Sequence, residues 1–395
     1  MKYAMVLPDG AADEPVPVLD GRTPLAVARK PNMDWISVHG RQGRVVTVPK
    51  GHTPASDVAT LSLFGYDPAK HYPGRAPLEA VARGIAIKPG QMVFRCNFVT
   101  IADGRMEDFT AGHITQAESN QLIEDLNRHI GGEHCKFYSG VSYRNLMVVS
   151  NADDFDLTCI PPHDFPQQPV EPRLPKGRGS DRVRKIMEQA HTLLAEHELN
   201  RVREDLGENP ATDIWLWGQG RPKPLETLEA RYGVRGALIA GVDLIRGIAL
   251  SAGLQDIRVE GATGYLDTDY VAKGKAAVDA VEEYDLVVVH VEAPDEAGHQ
   301  GDAEAKIEAI ERIDEHIVGP VLEILRKHEP WRVLVVPDHP TPVLKKIHTA
   351  DPPPFCLAGH AIQPVLGRPF SEEAAARSDL QIDPGYELME FFLRV

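Results

Sequence analysis

Residues 286–299 read LVVVHVEAPDEAGH, and the change of pattern inside this stretch decides the fold class. The run Leu286–Val291 is mostly β-branched with no polar alternation, which suits a strand buried on both faces of a parallel sheet. Asp295 and His299 follow, four residues apart. On a helical turn that spacing places both side chains on one face, as a metal clamp requires. A solvated helix start would use similar residues, so the segment gains meaning only from its companions.

Those companions repeat the same plan. Tyr3–Leu7 reads as a buried strand that stops at Pro8-Asp9-Gly10, and Val333–Val336 as another that stops before Asp338-His339. Ala237–Ala240 is a further candidate, followed by a helix through Leu250. Ala272–Tyr284 and Ala303–Leu325 carry apolar residues at helical spacing. In the second, Ile307, Ile310, Ile313, Ile317, Leu322 and Leu325 would face the sheet. Strands alternating with helices predict an α/β fold: a mainly parallel sheet sandwiched by helices.

A chain of 395 residues exceeds one ordinary core, so a second domain is expected. The segment 89–175 differs in pattern. Phe94–Ile101 and Tyr143–Val149 look like strands flanking an acidic helix near Gln116–Ile130, and Ile160–Pro175 is proline-dense, as an exposed linker would be. The expected division is therefore a core of 1–88 with 176–395, and an inserted smaller α+β domain at 89–175.

The formal charge of −16 disfavours a nucleic-acid partner, which needs a basic surface. No apolar run reaches membrane-spanning length, and the N-terminal run is too short for a signal peptide. Cys96, Cys135, Cys159 and Cys356 are widely spaced with no C-x-x-C pair, which points to a reduced, cytoplasmic setting rather than a thiolate metal site. No oligomeric state is assigned.

The chemistry collects at expected strand ends, where sites form in open α/β sheets. Asp9 alone would be a turn residue before Gly10. His348, nine residues after His339, would alone be structural. Together Asp9, Asp295, His299, Asp338, His339 and His348 form a mixed oxygen and nitrogen donor set. It suits two divalent ions, Mn²⁺ or Zn²⁺ foremost with Mg²⁺ and Co²⁺ also compatible, and no organic cofactor. Ser56, in TPASDVAT, precedes a helix-like run. It could be a plain N-cap, with Asp57 favourable against the helix dipole. It could equally be a nucleophile, because a helix start offers N–H groups to a phosphate.

In this order, Asp9, TPASD, DEAGHQGD, PDHPTP and IHTADPPPF resemble the alkaline-phosphatase superfamily. MVLPDGAADEP, SDVATLSLFGYDP, HYPGRAPLEA, FRCNFVT, GVSYRNLMV and GATGYLDTDY narrow the resemblance to cofactor-independent phosphoglycerate mutases of the archaeal-type branch. The resemblance implies an alkaline-phosphatase-like core and an inserted lid that contributes substrate groups. It implies that Asp9, Ser56, Asp338 and His339 hold one ion and that Asp295, His299 and His348 hold the other. Arg144 in SYRN is the best-matched substrate arginine, with Arg95, Asn97 and His113 as further candidates. Arg246 and Lys273 are candidates for the phosphate. The small phosphorylated substrate would pass its phosphoryl group to Ser56 and recover it on another hydroxyl, with His113 carrying a proton.

One segment departs from the branch. Residues 215–220 read WLWGQG where mutases tend to read LLRGAG-like, and this version is similar to a bacterial subgroup proposed to act as homoserine kinases. The alternatives are therefore phosphoryl transfer to another small alcohol such as homoserine, or a metal-dependent phosphatase. A sulfatase would want C/S-x-P/A-x-R, and TPASD lacks the arginine.

Overall fold

The computed structural model describes residues 1–394 and divides into two compact units, Met1–Tyr72 with Pro224–Val395, and Pro73–Lys223.

The discontinuous unit is built on an eight-stranded sheet. Its order is Gln255–Asp256, Gly236–Ile239, Leu286–Val291, Lys2–Pro8, Trp331–Val335, Pro354–Gly359, Arg41–Val45 and Gln381–Ile382. Only Pro354–Gly359 runs antiparallel to its neighbours. The sheet is therefore mainly parallel, as its β-branched runs required. Val287, Val289, Val333 and Val335 are all buried in one core with Ala277, Ile310, Ile313, Ile317 and Leu325 from the helices. Register fixes where the strands end. Pro8 pairs with Val291 and Val6 with Val335, so Asp9, Glu292 and the residues after Val335 leave the sheet at one edge.

The helix expected over Ala303–Leu325 is interrupted. Ala303–Ile313 passes into a π-turn, Asp314–Val318, before Gly319–Leu325 resumes. The turn has a structural use. It lets the Asp314 carboxylate accept from the backbone N–H of Asn32 (3.1 Å) and Met33 (2.7 Å), two otherwise unpaired donors at the start of helix Pro31–His39. The expected apolar face survives the interruption.

The second unit has a five-stranded antiparallel sheet around Met92–Ala102, which pairs with Arg105–Asp108, Arg144–Val149 and Asp213–Gly220; Cys135–Val141 extends it. Helices Gln116–His129 and Ser180–Ala195 contribute Leu122, Leu126, Ile186 and Ala190 to its core. The boundaries fall outside 89–175 because WLWGQG is itself a strand of this sheet. The proline-dense stretch is also not an exposed linker: Phe165 is buried against Trp215, with ring centroids 5.3 Å apart, and the Trp215 indole donates to the Ile160 carbonyl (2.8 Å). Among the described residues no helix is long and apolar enough to cross a membrane, and all four cysteines are free.

Candidate metal centre and nucleophile

Three strand ends and one helix start build the site. Asp9 follows Lys2–Pro8, and its N–H donates to the Val291 carbonyl (3.0 Å), locking it beside the neighbouring strand. Asp295 and His299 lie on helix Ala293–Gln300, one turn apart. Asp338 and His339 follow Trp331–Val335, and His348 lies in the same loop. Ser56 is the first residue of helix Ser56–Leu63. The N-cap position is taken by Ala55, which makes no side-chain cap, so Ser56 is not the capping residue.

The side chains meet in two overlapping groups. In the first, His339 Nε2 lies 3.6 Å from Asp9 Oδ1, 3.4 Å from Asp338 Oδ2 and 3.1 Å from Ser56 Oγ. In the second, Asp295 is approached by His299 Nε2 (3.3 Å to Oδ2) and His348 Nε2 (3.3 Å to Oδ1), and the two imidazoles lie 2.8 Å apart. The His339 and His348 rings, 4.1 Å between centroids, join the groups. All seven residues expected from the sequence are therefore brought together.

The donor set fits cations. Asp9 Oδ1 and Asp338 Oδ2 are buried and have no hydrogen-bond partner. Such a carboxylate oxygen is costly unless a positive charge meets it. Asp338 Oδ1 is already engaged by the N–H groups of Gly10 (3.1 Å) and His339 (2.9 Å), which leaves Oδ2 as the outward donor. Imidazole with carboxylate suits Mn²⁺ and Zn²⁺.

The electrostatics state the same need. Burial, then the charge of Asp338, pushes the Asp9 carboxyl well above the usual range. Burial holds His339 below its ordinary value. Burial also opposes ionisation of Asp295, but hydrogen bonds from His299 and His348 outweigh it and hold Asp295 well below the ordinary range. The Asp295 hydrogen bond raises His299 to about 9. Carboxylates crowded at low polarity are what a divalent ion relieves, at the expense of bound protons.

Three neighbours escaped the sequence reading. His290 Nε2 donates to Asp9 Oδ2 (2.9 Å), fixing that oxygen and leaving Oδ1 for a cation. Burial presses His290 down to about 4, so it is a neutral donor. Glu292 approaches His290 Nε2 at 3.8 Å, and burial followed by the charge of Asp295 raises it to about 8. The third neighbour is Thr341. The available signal for the first two was a histidine interrupting a valine run; nothing marked Thr341.

The substrate candidates divide between the units. Lys273 is fully buried, with Nζ 3.3 Å from the His290 carbonyl, and burial lowers it to about 8. Arg246 is committed to Asp256 (2.7 Å) and Asp243 (3.0 Å). In the other unit Arg95 grips both Glu79 oxygens and lies 4.5 Å over the Trp217 ring, whose indole donates to Asn97 Oδ1 (3.2 Å). Arg144 is exposed beside Tyr143. His113 is exposed in a left-handed turn at φ 51°. His163 was not anticipated. Burial lowers its pKa against the opposing charge of Asp164, and its ring lies 5.1 Å from that of Trp217, the indole that Arg95 covers.

Residues 38–200 match the family described as 2,3-bisphosphoglycerate-independent phosphoglycerate mutase. The chain is 47% identical over 394 residues to the protein of that name from Methanothrix thermoacetophila, covering 100% of both. It is 44% identical over 398 residues to a "probable" one from Geobacter sulfurreducens, again covering 100% of both. Among solved structures, a cofactor-independent phosphoglycerate mutase from Thermoplasma acidophilum has a TM-score of 0.68 at 26% identity, covering 100% of this chain and 99% of the other. A Pyrococcus horikoshii protein reaches a TM-score of 0.85 at 26% identity, covering 99% and 96%.

Proposed function

The chain belongs to the 2,3-bisphosphoglycerate-independent phosphoglycerate mutase family, and from that premise we propose that it interconverts 3-phosphoglycerate and 2-phosphoglycerate through a phosphoserine at Ser56. The observation that carries this reading is Ser56 Oγ, 3.1 Å from His339 Nε2, an imidazole of the Asp9–Asp338–His339 group. Asp9, Ser56, Asp338 and His339 would hold one divalent ion, and Asp295, His299 and His348 the other, with Mn²⁺ or Zn²⁺ the best match to the donors. Bound there, such ions supply charge neutralisation on phosphoryl oxygens and favour an ionised serine.

The chain's own part follows from placement. Ser56 sits at a helix start, where free N–H groups favour an anion. Its oxygen attacks phosphorus in line. The Oγ–P bond forms as the bond from phosphorus to the substrate oxygen breaks, and the released alkoxide takes a proton. The glycerate then returns its other hydroxyl, deprotonated, to the same phosphorus and releases Ser56. Arg144, Arg95 and Asn97 are assigned to substrate binding and His113 to proton transfer; Arg246 and Lys273 are the weaker assignments, given their existing partners. Cytoplasmic residence belongs to the same proposal, in keeping with four free cysteines.

A coupled assay on 3-phosphoglycerate, with Mn²⁺ and then with excess chelator, tests the reading. Turnover is expected only with metal, and Ser56→Ala should lower kcat by about a thousandfold or more, the scale of losing a nucleophile. Full activity in metal-loaded Ser56→Ala would overturn the covalent route. Phosphorylation of homoserine from an added phosphoryl donor, without mutase turnover, would instead overturn the choice of acceptor.

A further inference from the structure

Thr341 lies two residues beyond His339 and is completely buried. Its backbone is held on both sides. The N–H donates to the Ala12 carbonyl (3.3 Å), and the carbonyl accepts from Lys306 Nζ (2.9 Å). Lys306 is itself buried and paired with Asp13 (2.6 Å), so this anchor does not move freely.

The hydroxyl lies between the two ligand groups. It donates to Asp295 Oδ1, and His339 Nδ1 is 3.3 Å away on its other side. A threonine hydroxyl has one proton. With that proton given to the carboxylate, the oxygen can only accept from His339, which places the imidazole proton on Nδ1. His339 Nε2, the atom facing Ser56, Asp9 and Asp338, then keeps its lone pair for a cation.

Two glycines make room for this arrangement. A Cβ on Gly10 would come within 2.7 Å of Thr341 Oγ1 and 2.6 Å of Asp295 Oδ1. A Cβ on Gly298 would collide with the Thr341 carbonyl oxygen and approach its methyl group at 2.8 Å. Thr341 is thus packed closely against both glycines, with no room for a side chain at either.

We propose that Thr341 is a positioning residue that couples the two metal positions: one hydroxyl fixes the tautomer of His339 in the first group and orients Asp295 in the second. The proposal rests on the two-ion reading given above. It assigns Thr341 no contact with substrate or ion.

Titration calorimetry of the metal-free full chain with Mn²⁺ tests it, using wild type, Thr341→Val and Thr341→Ser. Valine keeps the shape and removes the hydroxyl; serine keeps the hydroxyl. Two equivalents are expected for wild type, with binding about 10- to 100-fold weaker in Thr341→Val and within about threefold of wild type in Thr341→Ser. Nitrogen-15 shifts of the His339 ring should report an Nδ1–H tautomer in wild type and in Thr341→Ser, lost in Thr341→Val. An unchanged Thr341→Val isotherm, or Thr341→Ser as weak as Thr341→Val, would overturn the coupling. Should Thr341→Val fail to fold, the Thr341→Ser isotherm and the wild-type tautomer decide alone. Wild type binding no Mn²⁺ would remove the two-ion reading and this proposal together. Two wild-type equivalents with no effect of the valine would remove only the proposal.

Discussion

At the scale of single residues, much depends on Gly10 having no side chain. Its φ of 61° is left-handed, its N–H holds Asp338 Oδ1 at 3.1 Å, and any Cβ would press on the Asp295 backbone at 2.7 Å. A Gly10→Ala variant therefore combines backbone strain with a contact that neither Asp295 nor Thr341 can yield. The expected loss of stability is about 2–4 kcal/mol, the sum of strain and overpacking. Urea unfolding of the metal-free protein measures it. A midpoint equal to that of wild type would show that the strand-end turn has room to spare. Ser56 illustrates the opposite case, a residue with no structural task to explain it. As the first helical residue rather than the cap, its hydroxyl faces His339 instead of closing its own helix.

At the scale of elements, legibility tracked how local the cause was. Leu286–Val291 and Lys2–Pro8 could be read because their pattern is local: a strand buried on both faces is apolar along most of its length, with His290 and the terminal Lys2 as the exceptions. The i, i+4 clamp of Asp295 and His299 could be read for the same reason. Thr341 could not, since its meaning comes from Asp295, 46 residues away, and His290 takes its meaning from Asp9, 281 residues away. The π-turn at Asp314–Val318 was hidden because its apolar spacing imitates a plain helix. Ile160–Pro175 misled because proline content outweighed one buried phenylalanine. Helix Gln116–His129 was legible and supports a pH prediction. Thr115 and Glu118 form a capping box, and Arg203, 1% exposed, pairs with the same carboxylate at 2.9 Å. Burial opposes ionisation of Glu118, but the Thr115 and Arg203 hydrogen bonds outweigh it and lower the pKa. A lowered acid adds stability that is complete above the unfolded value of about 4.3 and disappears as pH falls through the folded one. Glu118→Gln should thus reduce hydrogen-exchange protection of this helix at pH 7, and the difference from wild type should vanish in acid. A difference that persists in acid would mean the carboxylate charge is irrelevant.

At the scale of the whole molecule, the seam between the two units is where sequence and structure disagree most, and the disagreement can be tested. The expected insert, 89–175, stops before Asp213–Gly220 and before helix Ser180–Ala195. Yet Asp213–Gly220 pairs with Met92–Ala102 from Val93 to Val99, and without it that strand would have one bare edge along most of its length. Trp215, Leu216 and Trp217 would leave the core together with Ile186, Ala190 and Leu194. Phe94, Phe98 and Phe165 would lose the partners that exclude water from them, about 25 cal/mol for every Å² exposed. The range 73–223 contains every one of these groups in one continuous piece of chain. A polypeptide of residues 73–223 is therefore expected to melt in a single cooperative transition and to protect the amides of Met92–Ala102. One of residues 89–175 should show neither behaviour. Equal cooperativity in the two would mean that Asp213–Gly220 merely decorates a sheet already complete without it, and the boundary drawn from the proline-dense stretch would then be the better one.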